Sequence, residues 1–190
     1  MENNTKLYVL FGKSGVGKNE IVDWLDMNRP DFHKVKIDTT RQKRWYEDDE
    51  SYNFLNKKEF LNKEKNMKYI AYSIYPNGKT NLYHGIPYDK IEEGEKNVVV
   101  ADLKMVNILK KYYPNDEDII YISVEMLPQY RFERMTKKEA YPDYYSICKR
   151  FCDDDDEFAV KSKMPNKYIV FKNNPCRDDF YGLLKLIDAE

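Results

Sequence analysis

The strongest chemical signal in the chain is a glycine-rich stretch at positions 12–18, GKSGVGK, which matches the pattern G-x-x-x-x-G-K. Glycines there let main-chain N–H groups turn inward around phosphate oxygens, and Lys18 adds a positive charge near the transferred phosphate. A predicted strand at 6–11 precedes the stretch and a predicted helix follows it, as a phosphate-binding loop requires. The alternative is a glycine turn that only links a strand to a helix, and Lys18 argues against it.

We expect the main-chain amides between Phe11 and Asn19 to form a cup for the phosphates of ATP. The expected binding residues are Gly12, Lys13, Ser14, Gly15, Val16, Gly17, Lys18 and Asn19. A segment that is straightened, or plugged by the protein's own side chains, would contradict this expectation.

The residue after Lys18 departs from the pattern, which has Ser or Thr there because a hydroxyl ligates Mg²⁺. This chain has Asn19. An amide oxygen binds a hard cation with a different reach. The sequence therefore predicts ATP and Mg²⁺ as cofactors, and either Asn19 is a metal ligand or the nucleotide and water hold the cation.

A second cationic segment follows at 38–44, DTTRQKR, with YNF at 52–54. Arg41 and Arg44 lie three residues apart just after a predicted strand, so their planar guanidinium groups can fork onto one phosphate. Tyr52 can donate its hydroxyl to the same anion. For an isolated R-x-x-R pair, a solvated basic loop is the better interpretation, and the loop upstream favours the phosphate site.

Apolar runs and helical periodicity alternate along most of the chain, which predicts an α/β fold with a parallel sheet covered by helices on both faces. The predicted strands are 6–11, 35–37, 52–55, 69–75, 80–83, 97–101, 119–124 and 168–171. The predicted helices are 18–27, 57–65, a brief one near 87, 103–112, 127–138, 144–161 and 178–187. An antiparallel hairpin around Pro76-Asn77-Gly78 interrupts the alternation, so the region 38–93 is predicted to be an inserted lobe.

From about residue 6 to residue 187 the chain resembles guanylate kinase. The resemblance rests on GKSGVGK, on T-T-R-x-x-R followed by Y-N-F, and on later segments in the family's order. It implies a P-loop NTPase fold with an inserted mixed α/β monophosphate-binding lobe and a helical lid. The implied single domain 1–190 divides into a core (1–37, 94–130 and 162–190), the lobe (38–93) and a lid at about 131–161.

For the acceptor, the resemblance implies that Arg41, Arg44 and Tyr52 hold the phosphate of a nucleoside monophosphate. His84 stands at the position of a second phosphate-holding tyrosine, with Tyr83 beside it, so both are candidate binding residues. In that family, Lys18, Arg41 and the lid arginines stabilise the transferred charge.

Further implied site residues come from the second half of the chain. Asp102 lies near the acceptor, although as the residue before a predicted helix it is also a candidate N-cap. Arg131 and Arg150 close over the transferring phosphoryl group, and Asn173 lines the adenine pocket. The acidic run at 153–157 is interpreted as a solvated helix face paired with lid lysines.

Two positions depart from the family's pattern. The residues that read guanine in the family appear here as Ala71 and Ile86, whose side chains form no hydrogen bonds. Each buried partner left unpaired costs about 1–3 kcal/mol. Phosphate binding is thus predicted to be intact and guanine selectivity to be weakened.

Three functions remain in view. The first is a nucleoside monophosphate kinase that transfers the γ-phosphate of ATP to GMP or dGMP. The second is a kinase with another acceptor, such as a ribosyl phosphate. The third is a guanylate kinase-like binding module without activity, and the retained glycines and Lys18 disfavour it.

Composition narrows the class further. Hydrophobic residues make up 42% of the 190 and the net charge is −1, so the chain is predicted to fold and lacks the basic excess of a nucleic-acid binder. No apolar run reaches the roughly 20 residues of a membrane helix. Three cysteines give no disulfide framework, which favours the cytoplasm. The expected partners are small nucleotides, with the chain a monomer or homodimer.

Overall fold

A computed structural model describes residues 5–44, 47, 52–77, 80–113, 117–138, 141–160, 162, 164–174 and 180–189. Its strands are β1 (Lys6–Phe11), β2 (Phe32–Lys34), β3 (Asp38–Thr39), β4 (Asn53–Phe54), β5 (Tyr69–Asn77), β6 (Thr80–Pro87), β7 (Lys96–Val100), β8 (Ile119–Glu125) and β9 (Ile169–Lys172). Its helices are α1 (Lys18–Asn28), α2 (Lys57–Lys65), α3 (Leu103–Tyr112), α4 (Pro128–Lys137), α5 (Tyr144–Ala159) and α6 (Phe180–Ile187), with a 3₁₀ turn at Tyr88–Lys90.

The larger sheet has five parallel strands in the order β2-β7-β1-β8-β9. Strand β1 is central, and the chain crosses to β7 on one side and to β8 on the other. In such sheets, ligands bind outside the carboxyl ends of the strands at the point where the order reverses. The segments after β1, β7 and β9 all leave at that edge.

The core lies on both faces of this sheet because successive side chains of β1 point in opposite directions. Leu7, Val9 and Phe11 pack with α3 residues on one face. Tyr8 and Leu10 pack on the other face with residues of α1 and α6. The structure thus confirms the predicted parallel α/β sheet with helices on both faces.

The smaller sheet has the order β4-β3-β6-β5 and lies within the region predicted to be an inserted lobe. Strands β5 and β6 form the predicted antiparallel hairpin, which is longer than expected, and its turn at 78–79 lies outside the described residues. Helix α2 begins with a capping box between Asn56 and Glu59 and buries Phe60 against the sheet.

One predicted strand is wrong in position. The segment 35–37 was expected to be a strand, but β2 ends at Lys34. Val35 and Ile37 are buried, which explains their apolar character, and only the Val35 amide continues the ladder, with a hydrogen bond to the Val98 carbonyl oxygen. The chain then leaves the large sheet to enter β3.

Strand β3, which is two residues long, was not predicted. The other elements match the predictions to within a few residues, and the start of the last helix at 178–179 and Cys176 lie outside the described residues. Within the described part of the chain, no helix is both long and apolar enough to cross a membrane.

Candidate active site

The loop between β1 and α1 is curved, as the sequence predicts. Gly15 and Gly17 have φ angles of 83° and 90°, in the left-handed region that favours glycine. A Cβ atom on Gly17 would lie 2.6 Å from Nδ2 of Asn173, and one on Gly15 would lie 2.8 Å from the carbonyl oxygen of Arg131. The glycines are therefore required both by backbone conformation and by the close approach of α4 and the chain after β9.

Lys18 is the first residue of α1, and its ammonium group lies inside the loop. Its Nζ donates to the carbonyl oxygens of Gly12, at 2.7 Å, and Lys13, at 3.0 Å. Burial lowers the pKa of Lys18 to about 8, and the charge of Asp154 opposes that shift. An anion bound in the loop would favour the charged form of this lysine.

The cup of amides contains a protein carboxylate. The Ser14 amide donates to Oδ2 of Asp154 at 2.6 Å, and Lys13 Nζ pairs with Asp155 at 2.5 Å. The expectation of an open cup is therefore wrong at Ser14, because a side chain of α5 occupies that amide. The run 153–157 was predicted to be a solvated face paired with lid lysines. Asp155 is exposed, as predicted, but its lysine partner is Lys13 of the loop, and Asp154 departs from the prediction because it is largely buried.

Arg131, on α4, joins the loop to these carboxylates. Its side chain is almost fully buried, its Nε donates to the Ser14 carbonyl oxygen at 3.0 Å, and its two terminal nitrogens lie 3.3 Å from Asp154 and 3.2 Å from Asp155. Arg150 is half-buried on α5, about one helical turn before Asp154. Both predicted lid arginines thus lie on the two helices that approach the loop.

The far side of the loop is braced by the segment after β9. Nδ2 of Asn173 donates to the Val16 carbonyl oxygen at 2.8 Å, and the Val16 side chain is buried in the core. Arg134 lies beside Gly17 and pairs with Glu20 at 2.8 Å. Arg134 was not among the predicted site residues, because it matches the family's pattern only after a shift of one residue.

The arginines of the second cationic segment converge on one carboxylate. Arg41 donates two parallel hydrogen bonds to Glu47, at 2.7 and 2.8 Å, and the Arg44 amide donates to the same group at 2.9 Å. Burial alone would raise the pKa of Glu47, but the hydrogen bonds from Arg41 and Arg44 hold that pKa below its ordinary value. The guanidinium group of Arg41 also lies 4.9 Å from the ring centre of Tyr52. Sequence reasoning left Glu47 without a role.

Tyr52 connects this cluster to the phosphate loop. Nδ2 of Asn19 donates to the Tyr52 hydroxyl at 3.4 Å. This arrangement leaves Oδ1 of Asn19 as an acceptor that can face a cation. The described residues contain no group of three or more His, Cys, Asp or Glu side chains that could hold a metal ion. The Asn19 amide, with its oxygen left as an acceptor, fits a cation that arrives with a nucleotide and takes one oxygen ligand from the protein.

Asp102 follows β7 and forms the centre of a polar cluster on the hairpin. Its Oδ1 accepts from the Met105 amide at 2.9 Å, which confirms the N-cap role, and its Oδ2 accepts from the Ser73 hydroxyl at 2.6 Å. Burial, together with the nearby charge of Asp102, raises the pKa of Tyr75 well above its ordinary value.

The hairpin separates the two neighbouring candidates on β6. His84 faces this polar cluster: its ring lies 6.0 Å from that of Tyr75, and burial and the charges of Arg41 and Arg44 lower its pKa, against the effect of Asp102. Tyr83 points to the opposite face, where its ring packs on Phe60. Adjacent residues of a strand face opposite sides, so the structure does not bring Tyr83 and His84 together, and the acceptor role of each stays a prediction.

Ala71 and Ile86 are register partners on the hairpin, on the same face as Ser73 and His84. Both side chains are buried and join the hydrophobic cluster that includes Leu103 and Val106 of α3. These positions are thus part of the core, and their side chains present no hydrogen-bonding group.

Comparisons with known proteins agree with this arrangement. The family model described as guanylate kinase matches residues 4–152, well over half of the chain. A guanylate kinase of Helicobacter pylori is 33% identical over 120 residues, a match that covers 60% of this chain and 56% of that protein. The matched region thus spans little more than half the length of that relative. A guanylate kinase of Synechocystis is 27% identical over 195 residues, covering 97% of this chain and 94% of the relative.

The fold is also similar to that of a solved structure. A crystal structure of guanylate kinase from Anaplasma phagocytophilum matches with a TM-score of 0.63 and 16% identity, covering all of this chain and 88% of that one. That likeness supports the fold, while the sequence matches extend from the phosphate loop into α5. The chain belongs to the guanylate kinase family.

Proposed function

We propose that this protein transfers the γ-phosphate of ATP to a nucleoside monophosphate, with GMP or dGMP as the acceptor. The phosphate loop binds the donor, and the cluster of Arg41, Arg44 and Tyr52 binds the phosphate of the acceptor. A phosphate oxygen of the acceptor attacks the γ-phosphorus, and the bond from that phosphorus to the β-phosphate oxygen breaks, so that ADP leaves.

One observation carries this proposal. The residue after Lys18 contacts the acceptor cluster directly, through the hydrogen bond between Asn19 and the Tyr52 hydroxyl. The two cationic regions are therefore neighbours, and each carries groups that bind phosphate. Phosphoryl transfer requires this proximity, because the enzyme works mainly by positioning both substrates and stabilising charge.

The roles of the charged residues follow from their positions. Lys18 stabilises charge on the transferred group from within the loop. We assign Arg131 and Arg150 to a lid made by α4 and α5, within the proposed range of about 131–161, which excludes water when both substrates are bound. The proposed acceptor lobe is 38–93, and the rest is core.

Mg²⁺ would be held by the phosphates, by water and by Oδ1 of Asn19. When bound, it neutralises charge on the donor phosphates. The protein's own contribution is to orient this amide, which the Tyr52 hydroxyl does by accepting from Nδ2. Asn173 supports the opposite side of the loop and is proposed to border the adenine.

A second acceptor deserves comparison because Ala71 and Ile86 are buried among apolar side chains. Because these side chains form no hydrogen bond with a base, binding of the acceptor depends on its phosphate and on the polar cluster around Asp102. A ribosyl phosphate presents both a phosphate and hydroxyl groups that a carboxylate can bind.

The cysteines Cys148 and Cys152, which are free and exposed, fit a reducing cytoplasm as the compartment.

The test is a steady-state assay with MgATP and a panel of acceptors: GMP, dGMP, AMP, IMP and ribose phosphates. We expect GMP or dGMP to give the highest kcat/KM. Higher turnover with a ribose phosphate would favour the second acceptor. Absence of turnover with every acceptor, in protein shown to be folded by circular dichroism, would overturn the proposal.

A further inference from the structure

Two consecutive acidic residues of α5 reach the phosphate loop from the far end of the chain. Asp154 accepts a 2.6 Å hydrogen bond from the Ser14 amide, and Asp155 pairs with Lys13. Short contacts of this kind are charge-assisted hydrogen bonds, which are stronger than neutral ones. Helix α5 is therefore held on the loop by specific contacts.

Arg131 fixes both carboxylates in this position. Its side chain is only 2% exposed, and it pairs with Asp154 and Asp155 while donating to the Ser14 carbonyl oxygen. The Asp154 side chain is 17% exposed and is thus largely removed from water. A buried cation of this kind keeps its carboxylate partners in place, because breaking a buried pair leaves a charge uncompensated.

The occupied amide belongs to the loop that the proposed function assigns to the donor phosphates. A main-chain N–H of such a loop is a donor directed at an anion. A carboxylate oxygen at 2.6 Å fills that donor, so a phosphate oxygen cannot accept from the Ser14 amide until the carboxylate withdraws.

We propose that Asp154 is an internal competitor for ATP, which occupies the phosphate loop in the nucleotide-free protein and must be displaced when the donor binds. This inference rests on the proposed function of the loop. Displacement releases α5 from Ser14 and frees Arg131 to pair with the incoming phosphates. Donor binding is thereby coupled to movement of the helix pair.

The competition lowers the apparent affinity for ATP. If the loop is open in only a fraction of molecules, the apparent Kd exceeds the intrinsic Kd by the inverse of that fraction. Removing the carboxylate removes this penalty. A simple loss of negative charge near the loop would also help ATP, so the test must separate contact from general charge.

The experiment is a calorimetric titration of the full chain with MgATP, comparing wild type, Asp154→Asn and Asp156→Asn. Both variants remove one negative charge from the same run, but Asp156 is exposed on α5. We expect Asp154→Asn to bind MgATP about tenfold more tightly than wild type, as an open fraction of about one tenth would give. Asp156→Asn is expected to stay within about twofold of wild type, because only general charge changes.

Equal affinities of the two variants, or weaker binding by Asp154→Asn, would overturn the proposal while leaving the proposed function intact. If the wild type binds no ATP, the proposed function fails as well. A second readout does not depend on ATP or on the variant's folding: hydrogen exchange of the Ser14 amide in the free wild-type protein. We expect that amide to be protected, and exchange at the rate of an unpaired amide would contradict the contact.

Discussion

At the proposed acceptor site, Arg41 pairs with Glu47, only six residues away, whereas at the donor loop Ser14 pairs with Asp154, 140 residues away. Both proposed phosphate-binding regions thus hold a carboxylate of the protein. The acceptor pair belongs to one segment, so it can remain while the lobe moves. The donor contact joins a loop to a helix that is distant in sequence, so its breakage on nucleotide binding would change the position of that helix.

The two regions also differ in what surrounds the phosphate-binding groups. The donor loop is packed closely against backbone atoms at Val124 and Arg131. The acceptor lobe places polar side chains such as Ser73 around Asp102, but its surface at Ala71 and Ile86 is apolar. On the proposed function, we expect the donor side to select a polyphosphate and the acceptor side to be less selective for the base.

The largest effect is expected from Lys18→Ala, which removes the charge inside the donor loop. We expect kcat to fall by about 100-fold or more, as for loss of one group that stabilises transition-state charge. Lys137→Ala, at an exposed position on α4, is the matched control and should retain activity. A Lys18→Ala protein with wild-type kcat would remove the donor loop from the mechanism.

On the acceptor side, Arg41→Lys keeps a positive charge but loses the planar fork. We expect the KM for GMP to rise about tenfold to 100-fold, since a lysine cannot make two parallel hydrogen bonds, with little change in the Kd for ATP. Arg29→Lys is the control, because Arg29 holds Asp31 with a similar fork, at 2.8 Å for both bonds, outside the proposed site. An unchanged KM in Arg41→Lys would place the acceptor phosphate elsewhere.

The pH dependence of donor binding tests the charge on Lys18. Because burial lowers its pKa to about 8, the lysine is charged below that pH and increasingly neutral above it. A phosphate binds the charged form. The charged fraction of a lysine with a pKa of about 8 falls roughly eightfold between pH 7.5 and pH 9, so the Kd for ATP should rise by roughly eightfold over that range. Lys18→Ala should abolish that rise, and a flat wild-type profile would contradict the lowered pKa.

The smallest effect concerns the base. GMP and IMP differ by the exocyclic amino group that a guanine reader would bind. A site built to hydrogen-bond that group would reject IMP by several powers of ten. Ala71 and Ile86 form no such hydrogen bond, so we expect the kcat/KM for GMP to exceed that for IMP by less than about tenfold. A ratio above about 100 would show that a polar group, such as Ser73, reads the base after all.

The features that could be predicted from the sequence are local ones. The phosphate loop, its flanking strand and helix, and the Arg41 segment are each contained within a few consecutive residues. The contact between Asp154 and Ser14 could not be predicted, because it depends on how α5 folds back over the sheet. An acidic run on a helix is most often solvated, and nothing in its spacing distinguishes Asp154 from Asp156.

One further error, in a predicted strand, has a structural cause, and one pair of predicted site residues is separated by the strand geometry. The apolar residues Val35 and Ile37 were assigned to a strand, but burial and strand pairing are separate properties, and only Val35 continues a hydrogen bond of the ladder. Tyr83 and His84 were both assigned to the acceptor although adjacent residues of a strand face opposite sides. The twofold alternation along the predicted hairpin was the signal that could have separated them.

On the proposed function, the donor loop and the arginine cluster serve one phosphoryl transfer. The most direct measurement uses ATP labelled with ¹⁸O in the non-bridging γ-oxygens and GMP, followed by mass spectrometry of the products. We expect labelled GDP and unlabelled ADP in equal amounts. Release of the label as inorganic phosphate, with no labelled GDP, would contradict it.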